Sequence, residues 1–271
     1  MQQALDFQDE SRALAGLIAP LSEDDLHIQT AFKSWTIEEI VRHLHVWNQA
    51  ALWSLQETPK FDEFLRAAQS GFARGLSFRA VESEQLAGLA GRALVSTWSE
   101  RIAALSRAFS AADPSARLAW VGPSMSARSS ITARLMETWA HGQAVYDALN
   151  IDRVETDRIA NIVQLGVNTF GWTFKNRGES APGAMPFVRL AAPSGAEWTY
   201  GEASTSDWIE GPAVSFCQVV TQTRHIDDTT LQTHGPVARA WMEKAQCFAG
   251  PAQDPPKPGV RLKGARGGAS D

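Results

Sequence analysis

The sequence predicts a mainly α protein: a helical bundle over residues 1–178, then a smaller α+β domain over 179–250 and a loose tail over 251–271. Three observations carry this. Apolar residues recur every three or four positions through the first two thirds of the chain, the period of a helix with one buried face. "ESAPGAMP" (179–186) then interrupts the pattern, and "FVRLAAPSGAEWTYGEA" (187–203) reads as two short strands around a Pro-Ser-Gly turn. Beyond Pro251 the chain is rich in Pro and Gly, locally basic and nearly free of large apolar groups, a composition that predicts disorder.

The elements follow in order. Residues 2–18 are amphipathic and stop at Pro20. In "SWTIEEIVRHLHVWNQAALWSLQET" (34–58), Thr36 and Glu39 form a capping box, in which each side chain satisfies an orphan backbone N–H. Ile37, Ile40, Val41, Leu44, Trp47, Ala51, Leu52 and Leu55 then make one apolar stripe. A further helix starts near Phe61 and ends within 71–77, and another runs from about Val81 to Phe109, closed by "AADPSA". Ser130 to Leu149 is the next, followed by one over 155–178. Near the end, "WIEGPAVSFCQVVTQT" and "GPVARAWMEKAQCF" read as two short helices with Gly-Pro near each start.

Composition narrows the function. The chain has 271 residues, 44% hydrophobic, with a formal net charge of −5. No basic face is available to neutralise a run of phosphates, which argues against nucleic acid. No stretch reaches the ~20 apolar residues of a membrane span, and the start lacks the basic and apolar regions of a signal peptide, so a cytoplasmic protein is expected. Cys217 and Cys247 are too few for a disulfide framework or thiolate cage and are expected to be small core residues. The oligomeric state is read as monomer or homodimer.

The chemistry-bearing residues centre on "ETWAHGQAVYDAL" (137–149). Glu137 and His141 are one turn apart, along one flank of the stripe formed by Ile131, Leu135, Trp139, Gly142, Val145 and Leu149. They read either as a surface pair worth a few tenths of a kcal/mol or as half of a site for a divalent ion such as zinc, nickel or iron. A third ligand would come from "VRHLHVW", where His43 and His45 point about 200° apart and cannot both reach one ion. Helical geometry alone does not choose between them.

"SWTIEEIVRHL" and "ETWAHGQAVYDAL" resemble two helices of the DinB-like proteins, in particular the mycothiol-dependent maleylpyruvate isomerase group. The resemblance implies a DinB-like four-helix bundle with His43, Glu137 and His141 as metal ligands, and His45 as a structural neighbour. "GPAVSFCQVVTQTR" (211–224) is similar to the helix ending in arginine in that group's C-terminal domain. This implies that Arg224 handles a substrate carboxylate; the plain alternative is a helix C-terminal cation acting on the dipole. The following "HIDDTTLQTHGP" is not part of the isomerase pattern and leaves His225, Asp227, Asp228 and His234 without a role.

The activity implied is that of an isomerase or thiol transferase with two cofactors: a divalent metal, zinc first, and a low-molecular-weight thiol such as mycothiol or glutathione. A metal-activated thiolate adds to a conjugated cis double bond of a small unsaturated carboxylate, the bond rotates, and elimination returns the trans isomer. Arg224 would stabilise the enolate formed midway. The alternatives are a metallohydrolase using metal-bound water and a non-catalytic metal-binding or sensing protein.

Overall fold

The structure, a computed structural model, describes residues 1–265. Cα packing divides the chain into two compact units, one of residues 1–29 and 35–142, the other of residues 30–34 and the chain from 143 onward.

The first unit holds helices α1 (Gln2–Ile18), α2 (Glu23–Leu26), α3 (Ile37–Gln56), α4 (Thr58–Ala73), α5 (Phe78–Gln85) and α6 (Gly91–Ala111). A two-stranded antiparallel ladder, β1 (Arg117–Leu118) and β2 (Met125–Ser126), leads into α7 (Ala127–Ala148). α1 packs on α6, and α3 packs on α4, α5 and α6, so α3 is the central helix. Its start is fixed by the expected capping box: Glu39 N–H donates to Thr36 Oγ1 at 3.2 Å, and Thr36 N–H donates to Glu39 Oε2 at 2.9 Å. Ile37, Ile40, Val41 and Leu44 are fully buried, as the stripe requires. Burial also extends beyond the stripe, to Val46, Ala50 and both histidines.

One expected helix is two. The run from Val81 to Phe109 breaks between α5 and α6, where Ala87 and Gly88 take φ of 48° and 89°. A left-handed residue ends an α-helix, and glycine adopts that conformation without a Cβ penalty. The break frees α5 to pack separately against α3.

The second unit contains the end of α7, α8 (Ala160–Asn168), α9 (Phe170–Lys175), β3 (Phe187–Ala191), β4 (Glu197–Tyr200), β5 (Trp208–Pro212), α10 (Ala213–Val220), β6 (Gln232–His234) and α11 (Pro236–Met242). The sheet order is β4-β3-β5-β6, with only the β3–β5 pair parallel. α8 packs on α10, which covers β3 and β5. A Cβ at Gly166 would lie 2.9 Å from the Phe216 ring, so glycine permits that approach.

Four expectations are corrected here. The compact units divide within α7 rather than at 178, because α8 and α9 pack on α10 and α11. The helix over 155–178 breaks at Thr169, whose hydroxyl donates to the Leu165 and Gly166 carbonyls at 2.8 and 3.0 Å. Trp208–Pro212, read as the front of a helix, is a strand because β3 and β6 pair on either side of it. Residues 251–265 are tied down by polar contacts: Arg261 Nη1 donates to the Gln222 carbonyl at 2.9 Å, and Gly264 N–H to the Asp147 carbonyl at 2.8 Å. The rest of the expected tail, 266–271, lies outside the described residues. No helix among the described residues is long and apolar enough to cross a membrane.

Candidate metal centre

His43, Glu137 and His141 converge within the first unit. One ligating atom from each lies within 4.8 Å of the others. α3 supplies His43 in its second turn, and α7 supplies Glu137 and His141 one turn apart. Glu137 Oε2 stands 3.3 Å from His43 Nε2 and 3.1 Å from His141 Nε2, while the imidazole centroids are 4.5 Å apart. Both histidines are buried, whereas the Glu137 side chain keeps 20% exposure.

Aromatic rings fix the imidazoles. Trp35 stacks on His141 at 5.7 Å and meets His43 edge-on at 5.5 Å. Phe78 and Trp47 stack on each other at 5.8 Å, and both lie against His43. Behind His43, Nδ1 is 2.7 Å from Glu82 Oε1, which also accepts from the Trp47 indole N–H at 2.7 Å. Behind Glu137, Arg134 Nη2 lies 4.0 Å from Oε1. Arg134 is buried over the Trp120 ring, and its Nε and Nη1 find no hydrogen-bond partner among the described residues.

The electrostatics follow from burial and charge. Burial disfavours the charged form of His43, but Glu137 and Glu82 outweigh it and push the imidazole up to about 9. Burial and the His43 charge lower His141 below its ordinary value. Burial also opposes ionisation of Glu137, yet the bonds with His141 and His43 and the Arg134 charge hold its carboxyl well below the usual carboxylate range. Two imidazole nitrogens and one ionised oxygen at this spacing suit a borderline divalent ion such as zinc.

His45 lies apart from this cluster, buried beside a cavity of about 10 Å³ between α3 and α6. Burial, then the Arg101 charge, lower its imidazole to about 4, so it is a neutral core histidine. Arg224 lies in the second unit, buried, with Nη2 2.7 Å from Asp147 Oδ1 and Nη1 donating to the Thr223 carbonyl at 2.9 Å. Gln143 shares the same Asp147 oxygen at 3.0 Å. Cys217 and Cys247 are free and buried, and burial pushes the Cys217 thiol well above its ordinary value.

The residues left without a role have structural contacts. His225 Nδ1 accepts from the Asp227 N–H at 3.1 Å, Asp228 accepts from Gly259 N–H, and His234 stacks on Trp208. Glu82, Arg134 and Trp35 are neighbours of the cluster that the sequence reading did not single out. For Glu82 the available signal was an acid directly after a buried valine in a short helix; for Arg134 it was a cation one turn before Glu137.

A two-histidine, one-carboxylate cluster held by two helices of a bundle, in a chain that continues into a small mixed sheet, defines a class: helical proteins built around a candidate metal site. The sequence profile of the mycothiol maleylpyruvate isomerase N-terminal domain matches residues 7–146, which include all three cluster residues, and the chain belongs to that family. Two Mycobacterium tuberculosis proteins, MT0041 and Rv0036c, both described as uncharacterized, are each 35% identical to it over 246 residues, 91% of this chain and 95% of theirs. A solved mycothiol-dependent maleylpyruvate isomerase, and a histidine-to-alanine mutant of it, superpose with a TM-score of 0.53 at 14% identity, covering 88% of this chain and 95% of that one. At that identity the likeness shows the fold: mainly α, with small sheets.

Proposed function

We propose that His43, Glu137 and His141 hold a divalent cation, zinc first, and that the chain is an isomerase or thiol transferase using a small-molecule thiol on an unsaturated carboxylate. The observation that carries this reading is the meeting of both Nε2 atoms on one Glu137 oxygen. Three protein ligands leave a further coordination position, the pattern of a catalytic ion. A cation there lowers the pKa of a coordinated thiol, supplying a nucleophile at neutral pH.

The chain's own groups then have defined tasks. Neither cysteine supplies the sulfur, because both are buried. The thiol therefore comes from outside, and the mycothiol dependence of the solved relative makes mycothiol the first candidate. The partial exposure of Glu137 leaves the cluster reachable from solvent. Trp35, Trp47 and Phe78 give it apolar walls, which strengthen charge interactions inside. We assign the substrate carboxylate to Arg224, a charge that Asp147 holds in a fixed orientation.

The test is cis-to-trans conversion of maleylpyruvate by zinc-loaded protein, followed by NMR with mycothiol, with glutathione and with no thiol. Turnover that requires both metal and thiol, and disappears in His43→Ala, is expected. Thiol-independent cleavage of an ester or amide panel by the loaded protein would replace this reading with a hydrolase.

A further inference from the structure

We infer that Glu82 is a positioning residue: its carboxylate holds the His43 ring with Nδ1–H turned inward, so that Nε2 is the atom presented to the cation. The assignment rests on the metal reading above and adds to it a residue from a third helix. Glu82 lies on α5, which packs on α3 and is neither of the two helices that carry the proposed ligands. Its side chain is 3% exposed.

Glu82 Oε1 accepts from the Trp47 indole at 2.7 Å, and an indole N–H is a donor only. His43 Nδ1 lies 2.7 Å from that same oxygen. An oxygen already accepting one N–H, at this distance from a second ring nitrogen, is satisfied as a carboxylate accepting two. Nδ1 then carries a proton whether the ring is charged or neutral, so Nε2, which faces Glu137 and His141, is the nitrogen that releases its proton to bind a cation. A carboxylate behind a ligating histidine fixes tautomer and ring plane and raises the basicity of the ligating nitrogen. The low exposure of the pair keeps water from competing for either bond.

The same short helix supplies an apolar contact one turn earlier, where the Phe78 ring lies 5.9 Å from that of His43. α5 therefore grips the imidazole through one charged group and one ring. Glutamine at position 82 keeps an oxygen acceptor for both N–H groups but removes the charge, so it separates positioning from mere space-filling.

The test compares wild type with Glu82→Gln, reading zinc affinity by competition with a chromophoric chelator and the Nδ1–H proton resonance of 15N-histidine-labelled, zinc-loaded protein. Glu82→Gln is expected to weaken zinc binding by about 10–100-fold and move the His43 Nδ1–H resonance upfield, with the metal-free melting temperature nearly unchanged. Zinc affinity within about twofold of wild type, or an unmoved resonance, overturns the assignment while leaving the metal centre standing. A wild-type protein that takes up no zinc overturns the metal reading and this assignment together.

Discussion

The imidazoles of His43 and His141 stand 4.5 Å apart and address one oxygen of Glu137 from two different helices. Neither ring can be removed without leaving an incomplete donor set. His43→Ala and His141→Ala are expected to purify without metal, while His45→Ala retains it, because His45 lies on the α6 side of α3. Plasma emission analysis of the purified variants decides. A metal-free His45→Ala beside a loaded His43→Ala would reverse the ligand assignment.

Protons and the proposed cation would compete for the cluster. In the metal-free protein His43 is raised from 6.5 to about 9, so its contribution to stability is full below pH 6.5 and is lost as pH rises through 9. His45, lowered from 6.5 to about 4, acts in the opposite sense: its contribution is present above 6.5 and is lost as pH falls toward 4. His141, also lowered, adds to that acid loss. Melting temperature of chelator-treated protein should fall by a few degrees on the alkaline side, and His43→Gln should flatten that limb. Zinc affinity should climb over the same alkaline range, since the ion displaces the His43 proton.

Arg134 places a buried cation behind Glu137, on the oxygen that does not face the histidines. That charge adds to the larger effect of the His141 and His43 bonds in keeping Glu137 ionised, but it repels a divalent ion. Arg134→Met is expected to tighten zinc binding several-fold, an effect on the order of 1 kcal/mol. The same variant should weaken azide binding to the cobalt-substituted protein, because one positive charge near an anionic ligand is gone. Chelator competition and visible absorption titrations measure the two effects; looser zinc binding in Arg134→Met would contradict this account.

Asp147 and Arg224 form a buried pair, their side chains 7% and 9% exposed. Removing one partner strands the other charge, so Asp147→Asn is expected to destabilise the protein by about 3–5 kcal/mol. Arg224→Lys keeps the charge but loses the planar fork. It should retain metal and most stability while losing turnover, if Arg224 handles the substrate carboxylate. Urea denaturation and the isomerase assay report the two properties independently.

Much of the first unit was legible because its signals are local. The Thr36–Glu39 box and the 3–4 residue stripe of α3 depend only on neighbours in sequence. So does the one-turn spacing of Glu137 and His141. Spacing could not choose between His43 and His45, because that choice depends on which helix packs on which side of α3. Glu82 was hidden for a related reason: the break at Ala87–Gly88 lay inside a run that is otherwise helical in composition. In the second unit, Trp208–Ile209 became strand through pairing with residues far along the chain, which no local pattern encodes. The order of 251–265 likewise comes from individual polar ties rather than apolar content.

The cap at Thr36 sets the rotational phase of everything downstream in α3. Each added residue turns a helix by about 100°, so a single insertion between Glu39 and His43 would swing the histidine off the cluster, and buried Leu44, Ala50 and Ala51 out of the core with it, with all three donors still encoded. A change that removes no donor and lies outside the cluster would thus undo both the cluster and the packing of α3 around it.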